Sequence, residues 1–229
     1  MPKRKTPDSS FAPAPAPKSK RTSKPPFLTA IAGLDFIKHP TYEDSRITGA
    51  GGREAQAILG PTGSYLSVRS DANPKLPSAI VPARKKMPKC SFKAGHLLNA
   101  QFGGDGTKRS NLTILSSKGN ANHKAFDEPV KKALLKLKDA YKLLWEDNVD
   151  VKSVKIGIDV KVVVNIDQPW PENPKIFKSL TCAAKCTPWQ DQMGKLGKHK
   201  SAFKKLMSEI DKLCKGATQK GEILNPKVG

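Results

Sequence analysis

His96 follows Lys93-Ala94-Gly95 and precedes LLNAQFGG, in a stretch dense with groups able to act on a phosphate ester. Gly103, Gly104 and Gly106 form a glycine-rich loop that ends in Lys108 and Arg109. Asn111 opens a short apolar run, and Asn120, Asn122, His123, Asp127 and Glu128 crowd the residues beyond it. Three adjacent cations, Arg84, Lys85 and Lys86, lie just upstream. Hydrolysis of a phosphodiester needs a base for water, a Lewis acid at the leaving oxygen and cations around the phosphate. Histidine is the natural base near neutral pH. An amide oxygen can hold Mg²⁺ while leaving it mostly hydrated, because this ion dehydrates reluctantly. Glycines let backbone and basic side chains approach a phosphate closely. The window from Lys89 to Glu128 therefore holds every part that the chemistry requires.

These residues resemble the active-site motif of the DNA/RNA non-specific endonucleases, which have the ββα-metal fold. His96 and the LLNAQFGG after it match that family's GH motif, and Asn111, in NLTIL, matches its first Asn. Asn120 lies nine residues later and matches the metal-binding Asn, while Glu128, eight further on, matches the carboxylate. Lys93 and Ala94 replace the Asp and Arg that usually precede the GH, and the interval from His96 to Asn111 is shorter than in the family. The resemblance implies that His96 activates water, that Asn120 ligates a single Mg²⁺ (or Mn²⁺), and that Asn111 holds the site geometry. Glu128 would support the ion's water shell or the leaving group, with Asn122 as the competing metal ligand. One of Arg84, Lys85, Lys86, Lys108 and Arg109 would contact the scissile phosphate. The implied activity is a largely sequence-nonspecific endonuclease on DNA, with RNA as second substrate. The implied setting is a bacterial toxin or effector delivered by a secretion machine and countered by an acidic immunity protein. A noncatalytic basic nucleic-acid-binding protein is the alternative.

The elements that must position these groups show in the apolar periodicity. Val130, Leu134, Leu137, Tyr141 and Leu144 recur at helical spacing, which predicts a long amphipathic helix. Pro129, directly after Glu128, predicts a break near Asp127 with a short helix before it. On such a helix His123 reads as an exposed polar residue, and Asn120 and Asn122, beside Gly119, as candidate caps. Strict alternation from Val154 to Val164 predicts a strand with one buried face. Phe203, Leu206, Met207, Ile210 and Leu213 share a face of a closing helix, with Gly216 as its terminator. Ala55–Leu59 and Tyr65–Val68 flank a Gly-Pro-Thr-Gly turn signal, and residues 73–88 read as mostly irregular. Helices and strands without βαβ alternation give an α+β class, with a ββα-metal core at about 84–146 and an extension over 150–216.

Composition sets the outer limits. The chain has 41 Lys and Arg against 20 Asp and Glu, a formal net charge of +21. Such an excess repels itself unless a polyanion or counterions offset it, so nucleic acid, a membrane surface or an acidic protein is the expected partner. Residues 1–26 carry seven cations and Asp8, hence +6, and leave +15 on the remainder. That proline-rich segment reads as a disordered basic tail, and residues 27–229 as one nuclease domain. No run approaches the roughly 18 apolar residues of a spanning helix, which argues against membrane insertion. The N-terminus lacks the apolar stretch of a signal peptide, placing the protein in the producer's cytoplasm before delivery. Cys182 and Cys186 are spaced for one helical face, and all four cysteines read as free thiols by default, with disulfides or zinc as alternatives.

Overall fold

The computed structural model describes residues 24–63 and 76–226. The basic tail up to residue 23 and the strand expected at Tyr65–Val68 lie outside the described residues. The elements run in the order α1 (Phe27–Ala30), β1 (Phe36–Asp44), β2 (Gly52–Leu59), α2 (Ile80–Lys86), β3 (Phe92–His96) and β4 (Leu112–Ser116). They continue with α3 (Ser117–Glu146), β5 (Ile158–Val164), β6 (Pro169–Trp170), β7 (Asn173–Phe177), β8 (Ser179–Cys186), α4 (Lys200–Gln219) and β9 (Glu222–Leu224). The class is α+β: an antiparallel sheet in the order β1-β2-β5-β8-β9, a separate β3–β4 hairpin, and two long helices packed on one another.

The alternation around Val160 builds the centre of the sheet. Ile158, Val160, Val162 and Val164 are buried while the residues between them are half-buried, so one face of β5 carries the core. Val154 and Ile156 share that burial but precede the ladder. Their carbonyls accept instead from the Tyr141 hydroxyl of α3, at 3.3 and 2.9 Å. The strand therefore starts later than the apolar pattern, because a helix side chain takes the place of a neighbouring strand.

Helix α3 is continuous through Pro129, contrary to the expected break near Asp127. Proline removes one donor and leaves the Ala125 carbonyl without its helical partner. Ala125 is exposed and Pro129 half-buried, so that carbonyl can turn to water. Phe126, Val130, Ala133 and Leu134 are buried on both sides of the proline and hold the two halves in line. Three further expectations are corrected. Residues 80–86, read as irregular, form α2. Gly216 lies inside α4, whose packed face continues to Ala217. Cys182 and Cys186 lie on β8, where the alternating burial of Leu180, Cys182 and Ala184 against α4 overrides the helical spacing.

The hairpin sits between two apolar clusters. Phe92 and Ile114 pack with Ile80, Ala83, Trp170 and Ile176, while Leu115 joins the main core with Phe126. A bridge from Gly51 to Thr113 ties the hairpin to the edge of the large sheet's second strand. Residues 24–26, placed in the tail by composition, pack on Trp145: Lys24 lies over its ring at 3.9 Å, and its indole N–H donates to the Pro25 carbonyl. No helix among the described residues is long and apolar enough to cross a membrane.

The Tyr141 hydroxyl hydrogen-bonds to two carbonyls, those of Val154 and Ile156, that accept no other hydrogen bond among the described residues. Tyr141→Phe should therefore cost about 1–3 kcal/mol, read as a lower denaturant midpoint with an unchanged m-value.

Candidate active site

Strand β4 runs directly into α3, and this junction determines what meets His96. In the hairpin register Phe92 faces Ser116 and His96 faces Leu112, so β4 leads away from His96. The helix must then double back over the hairpin. Four strand steps cover roughly 14 Å at about 3.4 Å each, and a helix needs about nine residues at 1.5 Å to return that distance. Counting from Ser116, the helix draws level with His96 near residues 123–127. The contacts agree: the His123 ring hydrogen-bonds to the His96 backbone, and the two imidazoles interact electrostatically.

The junction is fixed by polar side chains. Ser116 caps α3, its hydroxyl accepting from the Gly119 N–H at 3.0 Å, so neither Asn120 nor Asn122 is the cap. Asn225, beyond β9, is 2% exposed. Its amide accepts from the Ser116 N–H and donates to the carbonyls of Ile114 and Phe177. A Cβ at Gly119 would come within 2.4 Å of the Asn225 amide oxygen, so glycine is what admits this clamp.

Asn111 is fully buried and spends its amide on the loop after His96. It accepts from the Leu98 N–H at 2.9 Å and donates to the carbonyls of Leu98 and Asp105. Its own carbonyl accepts from the Leu97 N–H at 2.7 Å. A Cβ at Gly104 would meet the Leu98 carbonyl at 1.7 Å, so only glycine lets the loop close on this amide. Asn111 thus shapes the loop and does not face solvent.

Asn120 is half-buried in the first turns of α3, and its amide makes no hydrogen bond to the described residues. Asn122 lies on another side of the helix, its amide donating to the Leu224 carbonyl at 3.0 Å, away from His123 and the loop. Glu128 is exposed and pairs with Lys131 at 3.0 Å. It follows Asn120 by two turns, about 12 Å along the axis, so the two side chains cannot both occupy one inner coordination shell. Among the described residues no three His, Cys, Asp or Glu gather as a metal site. The donors that remain, an uncommitted amide oxygen and a more distant carboxylate, suit a hydrated, oxygen-seeking Mg²⁺ better than zinc.

The cations divide between structural and open positions. Arg84 donates from Nε and Nη2 to the Phe92 carbonyl, at 3.2 and 2.7 Å, and so braces the start of β3. Lys85 and Lys86 are exposed in the last turn of α2, where the helix dipole favours positive charge. Lys108 lies over the Tyr42 ring, and Arg109 is 3.8 Å from Asp44 in a pair that is about half exposed. Such an exposed pair holds its partners weakly and leaves Arg109 available to a stronger anion.

His123 and Asp127 are not the exposed polar residues that their helical position suggests: they are 5% and 4% exposed. Burial pushes the His123 pKa below its ordinary value, opposed by the nearby Asp127 carboxylate. Burial raises Asp127, opposed by His123 and by the Asn99 amide that donates to it at 2.6 Å. Their sequence spacing of four was the available signal, since it puts both on one helix face. All four cysteines are free, and burial pushes the thiol of Cys214 up to about 12. The same cause raises Cys182 and Cys186, which makes these thiols poor nucleophiles.

No protein-family model matches the sequence, and no curated protein matches it. Among solved structures, it is similar to the crystal structure of NucA from Streptococcus agalactiae with magnesium ion bound, at 14% identity and a TM-score of 0.33. The match covers 65% of this chain, and the chain spans 64% of that one, just under two thirds. A likeness of this degree leaves the reading of the site to the residues themselves.

The buried pair makes stability depend on pH. His123 has a folded pKa below its unfolded value of 6.5, so the unfolded chain binds its proton first. Its contribution is lost as pH falls below about 6.5. Asp127 acts oppositely: with a raised folded pKa, its contribution is complete below its unfolded value of about 3.9 and lost as pH rises. From pH 7 to pH 5.5 the His123 contribution should lower the melting temperature of wild type relative to His123→Asn, so the difference between the two proteins should change across that range. A constant difference would show that other groups carry the pH dependence.

Proposed function

We propose that the protein is a metal-dependent endonuclease that hydrolyses phosphodiester bonds in DNA, and in RNA by the same chemistry, with little sequence preference. The observation that carries this reading is the doubled-back helix. It sets an uncommitted amide, Asn120, one helical turn from His123, whose ring is bonded to the backbone of His96. The order of strand, strand and helix around that contact, β3, β4 and α3, supports a reading as a ββα-metal core.

In this mechanism His96 is the base. Its Nε2 is turned away from solvent, so Nδ1 takes the proton from the attacking water. Asn120 would hold a divalent ion, which would supply charge neutralisation at the phosphate and leaving oxygen. Glu128 serves the outer waters or the leaving group from two turns further along the helix. Lys108 and Arg109, beside the glycine-rich loop, and Lys85 and Lys86, at the open end of α2, hold the backbone phosphates. Arg84 supports them by fixing β3 rather than by binding the substrate itself. Contacts of this kind read charge and not base sequence, and affinity falls steeply with salt.

The test is plasmid nicking with Mg²⁺, with Mn²⁺ and with EDTA. His96→Ala should lower the rate about 10²–10⁴-fold while leaving plasmid binding intact. Asn120→Ala should lower the rate and raise the metal concentration needed. A folded protein that retards plasmid but never nicks it with either ion would instead be a noncatalytic binder.

A further inference from the structure

His123 and Asp127 lie outside the roles given above, yet they join the two halves of the site. The His123 ring lies in hydrogen-bonding contact with the His96 backbone. Nε2 of His123 is buried with no partner among the described residues, which leaves Nδ1 for that contact. One turn later, Asp127 accepts from the Asn99 amide at 2.6 Å, and the Asn99 side-chain oxygen accepts from the Gln101 N–H at 2.9 Å. The ring of His123 is also stacked with Phe126 at 6.3 Å, which limits its movement.

From the geometry we infer that His123 and Asp127 are positioning residues. Together they clamp α3 to the segment from His96 to Gln101 and so set the distance between His96 and Asn120. The inference rests on the endonuclease reading for its kinetic consequence, but the clamp itself is a structural statement. The loop after His96 is held by Asn111 through Leu97 and Leu98 and by α3 through His96 and Asn99. Asn111 decides the shape of this loop. The α3 clamp decides where the loop sits relative to the helix that carries Asn120. Burying a carboxylate is costly unless it finds partners, and Asp127 finds the Asn99 amide in this segment.

The test compares His123→Leu with His123→Asn, and Asp127→Leu with Asp127→Asn. Asparagine at 123 can place an amide where Nδ1 stood, and asparagine at 127 keeps an oxygen for Asn99, whereas leucine retains only bulk. Each leucine variant should lose about 100-fold in kcat with KM for plasmid unchanged, as a displacement of about 1 Å would cause, and each asparagine variant should stay within about 10-fold of wild type. Amide hydrogen exchange over residues 97–101, measured on the metal-free protein, should quicken in the leucine variants and remain near wild type in the asparagine ones. Equal losses in the leucine and asparagine variants, or exchange unchanged in all four, would overturn the clamp. If wild type never cuts DNA the endonuclease reading falls, and the exchange comparison still decides the clamp by itself.

Discussion

Everything near His96 depends on the mismatch between the rise of a strand and the rise of a helix. β4 carries the chain away from His96, and α3 must travel about twice as many residues to come back. That geometry places residues 123–127, rather than Asn120, level with His96. It works only if the turn at Ser116 is rigid, since a small error in the helix direction grows with distance from the junction. Rigidity comes from the Ser116 cap, from Asn225 reaching back from the end of the chain, and from glycine at 119, where any side chain would strike that asparagine.

The distribution of buried polar groups follows from this constraint. Among the described residues, Asn111, Thr113, Ser116, His123, Asp127 and Asn225 are nearly inaccessible and belong to the hairpin, the helix start or the clamp between them, while Asn173 on β7 and Ser179 on β8 are buried elsewhere. Elsewhere the core is mostly apolar, with small side chains such as Ala55 and Ala57 on β2 and branched ones on β5. Buried polar groups must be paired to be tolerated, and their pairing specifies one arrangement where apolar packing would accept several. The protein concentrates that specification where strand and helix must hold a fixed relation.

The charge has a different logic. The acids pair locally, as in Lys161 with Glu54 and Lys185 with Asp159, and lysines such as Lys124, Lys132, Lys204 and Lys212 are left on outer surfaces. Those groups give a diffuse attraction to polyanions rather than a site. The cations beside the glycine-rich loop differ because a fixed backbone holds them, with Asp105 receiving Thr107 and donating its own N–H to Tyr42.

Much of the α+β organisation was legible in periodicity: the apolar rows of α3 and α4 and the alternation in β5 needed only the sequence, because each element buries one face. The family resemblance grouped His96, Asn111 and Asn120 as a candidate set. What it could not decide was which polar residue faces inward. Asn120 and Asn122 look equivalent in the chain, yet the fold leaves the amide of Asn120 without a hydrogen bond among the described residues and ties that of Asn122 to Leu224. His123 read as surface and is buried, since only the packed hairpin makes that face of the helix interior. Pro129 predicted a break that burial on both sides prevented. By itself the sequence determined residue types, periodicity and charge, which are local properties. The tertiary structure alone decided the partners of each polar group, because hydrogen bonds between residues far apart in the chain depend on how the elements meet.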